Sequence, residues 1–105
     1  MEENNELVMN LIINAGNAKS SAMEAVQSAK KYDFETANEK IKSANAQINK
    51  AHNTQTDLLT AEANGDYTEI TLLMVHAQDH LMTTLTILDL AKELVDVYKI
   101  TQANQ

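Results

Sequence analysis

The sequence of 105 residues contains no cysteine and no proline, and it has only two glycines. The absence of cysteine excludes disulfides, a thiol nucleophile and thiolate metal clusters. The absence of proline removes the strongest helix breaker, and so little glycine argues against a turn-rich all-β fold. Arginine is also missing: the eight basic residues are all lysines, against fifteen acidic ones, for a net charge of −7. A chain this acidic is a poor candidate for binding nucleic acid or an anionic membrane.

Long apolar runs are missing as well. No stretch of about 18 uncharged apolar residues occurs. Residues 1–6 (MEENNE) lack the basic segment that opens a secretory signal. We therefore expect neither a membrane span nor a signal peptide, and we expect a cytoplasmic protein.

Apolar side chains recur at alternating gaps of three and four residues in three segments. A repeat near 3.5 is typical of helices that pack at shallow angles. It predicts helices over residues 4–31, 34–63 and 67–101 within one domain, residues 1–105. Because the connections are short, the predicted fold is all-α, an antiparallel three-helix bundle similar to a spectrin repeat. The predicted core positions are Val8, Leu11, Ala15, Ala18, Ala22, Ala25 and Ala29, then Phe34, Ala37, Ile41, Ala44, Ile48, Ala51, Gln55 and Leu58, and finally Ile70, Leu73, Ala77, Leu81, Thr84, Leu88, Ala91, Val95 and Tyr98.

The predicted breaks between helices have their own chemistry. Asp33 can cap the second helix, and either Asp66 or Thr68 can open the third after the turn signal at Asn64-Gly65. Gly16, inside the first helix, costs about 1 kcal/mol relative to alanine, which suggests close packing at that point.

The third segment carries a second apolar stripe almost opposite its core stripe. Its members are Leu72, Val75, Asp79, Met82, Thr86 and Leu90. Since the predicted core is rich in alanine, it is thin for a stable monomer, and one of the two faces needs a partner. Self-association through this helix is the economical interpretation, and a loosely packed core is the alternative.

His76, Asp79 and His80 fall within about one helical turn, at the seam between the two stripes. This arrangement does not fit a zinc hydrolase, because Ala77 occupies the glutamate position of His-Glu-x-x-His and no third ligand is evident. Paired Glu-x-x-His motifs of di-iron bundles are absent. A nucleophilic histidine remains, since neutral imidazole can attack phosphorus. A purely structural role for the histidines stays open.

The surrounding charge restricts what such a nucleophile can do. No basic residue occurs between Lys50 and Lys92, whereas six acidic residues do. A tight phosphate pocket normally recruits cationic side chains or a glycine-rich helix N-terminus. The sequence therefore disfavours a kinase or nucleotide binder and favours a carrier that releases its phosphoryl group to a partner.

Residues 75–83 (VHAQDHLMT) closely resemble the active-site helix of the lactose/cellobiose-type enzyme IIA of the bacterial phosphoenolpyruvate:sugar phosphotransferase system. Residues 11–18 (LIINAGNA) and 51–56 (AHNTQT) are also similar to segments of this family. The resemblance implies a homotrimer of three-helix subunits, nine helices in all. It implies that His76 accepts a phosphoryl group from the phosphocarrier HPr and passes it to a cysteine of enzyme IIB.

The same resemblance implies roles for three neighbouring residues. Asp79 would lie at the trimer axis and bind a divalent cation, Mg²⁺ by family assignment. His80 and Gln78 would have auxiliary roles at the site. His52, on the second helix, is expected to be structural.

Two other functions are compatible with a histidine on a helical bundle. One is a histidine phosphotransfer domain of two-component signalling, although its His-x-x-Lys-Gly pattern is missing; the other is a structural helical adaptor. A carrier of this family does not contact the sugar, so the sequence does not reveal which sugar is transported. The sequence of residues 75–80 (VHAQDH) resembles the cellobiose or chitobiose branch more than the lactose branch.

Overall fold

A computed structural model describes the backbone of residues 2–105 and the side chains from residue 5 onward. It consists of three helices: α1 (Glu2–Lys30), α2 (Phe34–Ala63) and α3 (Leu72–Ala103). They form a rod of 57 × 21 × 19 Å. Within residues 2–105 no helix is long and apolar enough to cross a membrane.

The direction of the helices follows from the contacts between them. Ser21 in α1 donates a hydrogen bond to Gln47 in α2 at 3.2 Å, so α2 runs back along α1. Thr84 in α3 donates to the carbonyl of Ala15 in α1 at 3.4 Å, and α3 runs parallel to α1. Helix α1 packs extensively against both others, whereas α2 and α3 touch each other least. The predicted antiparallel three-helix bundle is confirmed.

Alanine side chains allow α1 to pack closely against both α2 and α3. A side chain that ends at Cβ lets two backbones approach closely, at the cost of little buried area per residue. All seven predicted core positions of α1 are buried, and four of the eight in α2 are. The other four α2 positions, Phe34, Ile41, Gln55 and Leu58, are half-buried.

The first connection forms as the sequence predicts. Tyr32 adopts a left-handed conformation (φ 61°), which reverses the chain after Lys30. The carboxylate of Asp33 then accepts a hydrogen bond from the backbone amide of Thr36 at 3.2 Å, which caps α2. At the second connection α2 ends at Ala63 with Asn64 as its C-cap, and Gly65 takes a φ of 89° that favours glycine.

The third helix begins at Leu72 rather than at residue 67, and its cap is neither Asp66 nor Thr68. The Thr71 hydroxyl accepts a hydrogen bond from the Met74 amide at 3.1 Å. Consequently Ile70 lies outside the helix and is 77% exposed, which contradicts its predicted core position. Leu73, in the first turn, is also exposed, and Met74 is buried in its place.

The two faces of α3 differ sharply. The inner face is buried and consists of Met74, Ala77, Leu81, Thr84, Leu88, Ala91 and Val95. The outer face, the second predicted stripe, is exposed at all six positions: Leu72, Val75, Asp79, Met82, Thr86 and Leu90. The part of the bundle whose side chains are described therefore leaves this apolar face exposed.

Gly16 does not mark a close contact within the described chain. A Cβ built at this position meets nothing within 4 Å. The predicted close packing at Gly16 is therefore not observed inside the subunit.

Candidate functional site

The inner face of α3 determines where the histidines point. Ala77 and Leu81 are fully buried against the rest of the bundle. Side chains one position before each of them lie about 100° away around the helix, so His76 and His80 fall at the edge of the buried face. His76 is exposed and His80 is half-buried.

The two imidazoles contact each other directly. Their Nε2 atoms are 3.1 Å apart, which is a hydrogen-bond distance. The ring centroids are separated by 4.5 Å and the ring planes by 88°, so the edge of one ring faces the other. Because a neutral imidazole has a single N–H, this contact is a hydrogen bond when one ring carries its hydrogen on Nε2 and the other on Nδ1. The helical spacing predicted proximity, and the structure places the two Nε2 atoms against each other.

Apolar side chains border the histidine pair. Leu72 and Leu73, one turn before His76, line a shallow hollow with it. The hydroxyl of Thr83, one turn after Asp79, donates to the backbone carbonyl of Asp79 at 2.8 Å. Leu72 and Leu73 precede His76 by four and three residues, and this helical spacing could have predicted that they border it.

Asp79 lies on the outer face of α3 between Val75 and Met82, each 53% exposed. Nowhere in the described residues do three or more His, Asp or Glu side chains gather closely enough to hold a metal ion. One subunit by itself thus offers a single carboxylate at this position, and a cation site there needs oxygen ligands from outside the chain.

Gln78 points toward α2 and not toward the histidines. Its side-chain oxygen accepts a hydrogen bond from the Gln55 amide, and its own amide is 3.7 Å from the Met74 sulfur. Sequence periodicity had placed Gln55 in the core stripe without identifying it as the partner of Gln78. His52 is exposed on α2, next to the fully buried Ala51.

Comparisons with known proteins agree on one family. The family model of the lactose/cellobiose-specific IIA subunit of the phosphotransferase system matches residues 6–99. The lichenan-specific phosphotransferase enzyme IIA component of Bacillus subtilis (strain 168) is 48% identical over 102 residues, which cover 96% of this chain and 93% of that protein.

Solved structures give the same result for the fold. The crystal structure of the cellobiose-specific enzyme IIA of Bacillus anthracis aligns with a TM-score of 0.93 and 46% identity, covering 95% of this chain and 92% of that one. The IIA chain in the solution structures of the IIA(Chitobiose)–HPr complex of Escherichia coli aligns with a TM-score of 0.81 and 37% identity, covering 93% and 95%. The chain therefore belongs to the lactose/cellobiose-specific IIA family of the sugar phosphotransferase system.

Proposed function

We propose that this protein is a phosphoryl carrier for the uptake of a disaccharide of the cellobiose or chitobiose type, with His76 as the acceptor. One observation carries the assignment: an exposed imidazole on a rigid helix, 3.1 Å from a second imidazole, in a chain of this family. The chitobiose relative was solved in complex with HPr, which supports HPr as the donor here. A carrier between HPr and enzyme IIB works in the cytoplasm.

The transfer consists of two displacements at phosphorus. In the first, the Nε2 lone pair of His76 attacks the phosphorus of phospho-HPr and a P–N bond forms. The bond to the donor atom of HPr breaks, and its electron pair stays on that atom. In the second, a cysteine thiolate of enzyme IIB attacks, a P–S bond forms and His76 recovers its lone pair. No oxidant or reductant is needed in either step.

His80 acts as an auxiliary residue through its contact with His76. We assign His80 as the donor of the Nε2 contact, which keeps the lone pair of His76 on Nε2, the atom that attacks. Once the P–N bond has formed, the same N–H can donate to a phosphoryl oxygen. An auxiliary role for Gln78 requires its side-chain oxygen to leave the Gln55 amide first.

The partners provide what the site lacks. From residue 51 to residue 91 the chain has no lysine or arginine, so positive charge for the transition state comes from HPr and enzyme IIB. Both partners must reach His76 across a rim that includes Leu72 and Leu73. Their docking surfaces therefore overlap, and they bind one at a time.

The outer face of α3 supports assembly into a homotrimer of nine helices. It presents apolar side chains that residues 5–105 leave exposed, and Asp79 lies among them. Three such carboxylates around one axis would repel each other and lose hydration. A hard cation such as Mg²⁺ prefers oxygen ligands and would neutralise them, and Asp79 from each copy would hold it.

Transfer of labelled phosphoryl group from phospho-HPr tests the assignment. His76→Gln is expected to take up no acid-labile phosphate while it keeps its helical content and its oligomeric state. His52→Gln is the matched control, because His52 is exposed on α2, and it is expected to label like the wild type. His80→Gln should label more slowly. Full labelling of His76→Gln would overturn the assignment.

A further inference from the structure

The distance between the His76 and His80 side chains is close to that between two ligands of one metal ion. The two residues are one helical turn apart, and their Nε2 atoms lie 3.1 Å from each other. With Zn–N bonds of about 2.0–2.1 Å, two nitrogens of a tetrahedral site lie about 3.3–3.4 Å apart. Two cis nitrogens of a square-planar Cu²⁺ or Ni²⁺ site lie about 2.9 Å apart. The observed separation falls between these values, so the distance between the two nitrogens needs little change. To bind an ion, each ring must turn so that its lone pair points to the ion and not to the other nitrogen.

The electronic requirement is met by a change of tautomer alone. In the contact, one Nε2 carries the hydrogen and the other offers its lone pair. When the hydrogen of the donor ring moves to its Nδ1, both Nε2 lone pairs become available to an ion. An ion there exchanges one hydrogen bond for two coordinate bonds.

Exposure and charge favour a cation at this position. His76 is exposed and His80 half-buried, so water can fill the remaining coordination positions. The segment 51–91 carries six carboxylates and no basic residue, and the resulting negative potential attracts cations. Since the described residues offer no third His, Asp or Glu ligand beside the pair, binding should be reversible and not that of a closed structural site.

We propose that His76 and His80 together bind a first-row divalent ion that prefers nitrogen ligands, with Zn²⁺ as the type case. Imidazole nitrogen suits Zn²⁺, Cu²⁺ and Ni²⁺, whereas Mg²⁺ and Ca²⁺ prefer oxygen. The site is thus chemically distinct from the Asp79 position. The next step rests on the function proposed above. A bound ion occupies the His76 lone pair that attacks phosphorus, so the metal ion and the phosphoryl group exclude each other.

Zn²⁺ binding to the untagged protein, measured by competition with a chromophoric chelator in excess Mg²⁺, tests the site directly. Loss of either imidazole leaves a single ligand, so His76→Gln and His80→Gln should each bind roughly tenfold more weakly or worse, because the second ligand no longer acts intramolecularly. His52→Gln should bind like the wild type, because His52 has no second histidine one turn away on α2. Wild-type affinity in His80→Gln would overturn the proposal.

A second measurement separates this proposal from the carrier function. Zn²⁺ should slow labelling by phospho-HPr in both the wild type and His52→Gln, and excess chelator should restore it. Protein labelled beforehand should no longer bind Zn²⁺ at the pair. If the pair binds Zn²⁺ but His76 takes up no phosphoryl group, the carrier function is wrong and the metal site stands. If labelled and unlabelled protein bind Zn²⁺ equally, the exclusion is wrong and the carrier function stands.

Discussion

The inner and outer faces of α3 are both apolar, yet the subunit buries only one of them. On the inner face Leu81 and Leu88 are almost completely buried against α1 and α2. On the outer face Leu72 and Leu90 are 85% and 58% exposed. Contiguous exposed apolar side chains of this kind mark an interaction surface, whereas isolated ones do not. One helix thus has an apolar face that the subunit buries and an apolar face that it leaves exposed, with the histidine pair at their boundary.

The largest effect is expected when a leucine on the inner face of α3 is truncated and compared with a leucine truncated on the outer face. Leu81→Ala should lower the free energy of unfolding by about 2–5 kcal/mol, because it removes a fully buried side chain and leaves a cavity. Leu90→Ala, on the outer face of the same helix, should change the unfolding of the dissociated subunit by less than about 0.5 kcal/mol. It should instead weaken self-association.

Chemical denaturation at several protein concentrations distinguishes the two variants. Stability that depends on concentration reports association, and the part that does not depend on it reports the subunit. Equal losses in both variants at low concentration would mean that the outer face is buried within the subunit, and the comparison between the faces would fail.

A smaller effect is expected at the single carboxylate of the outer face. In Asp79→Leu, three charges are removed from the proposed axis, which relieves repulsion and desolvation. The variant also loses the bridging cation, which at 100 times its dissociation constant is worth about 2.7 kcal/mol. We expect the loss to prevail and the trimer to weaken by about 1–2 kcal/mol.

Asp79→Asn is the control for size, because it removes the charge and keeps one oxygen ligand with almost the same volume. Sedimentation equilibrium with and without chelator should show the wild type weakened by chelation and both variants insensitive to it. A trimer unchanged in Asp79→Leu, with or without chelator, would contradict a role of Asp79 in either assembly or metal binding.

The sequence predicted the helices of α1 and α2 closely because their apolar spacing coincides with clear stop signals. Asp33 caps α2 as expected, and α2 ends at Ala63, where the prediction placed it. At the start of α3 the same reasoning failed. Ile70 and Leu73 continue the spacing of three and four, but periodicity contains no information on which of several capping residues is used. Thr71 caps the helix, and the preceding residues stay outside it.

The candidate site was predictable in part for a related reason. Helical spacing brings His76 and His80 to the same side of α3, so their proximity followed from the sequence alone. The direct contact of the two Nε2 atoms depends on side-chain rotamers, which spacing does not determine. Likewise, the hydrogen bond between Gln55 and Gln78 joins two helices and depends on the tertiary packing of α2 against α3. Assembly and metal binding at Asp79 remain predictions.

The smallest expected effect concerns Gly16, which extends the comparison of faces from α3 to α1. Gly16 follows the helical spacing of Met9, Ile13 and Met23, all three of which are exposed apolar residues. A glycine within a helix costs about 0.5–1 kcal/mol relative to alanine. Since a Cβ at Gly16 meets nothing within 4 Å of the described chain, nothing in the subunit offsets this cost. Gly16→Ala should therefore stabilise the dissociated subunit by about 0.5–1 kcal/mol.

In the assembled protein Gly16→Ala should be destabilising. A second copy that approaches α1 closely at Gly16 would leave no room for a Cβ, and this would explain why the position is glycine. We expect Gly16→Ala to raise the unfolding free energy at low concentration and to weaken self-association in sedimentation equilibrium. Ser20→Ala, one turn further along α1, serves as the control, because it adds no atom. If Gly16→Ala stabilises the subunit and leaves association unchanged, the exposed stripe of α1 lies outside the interface, and α3 is the helix whose outer face carries the assembly.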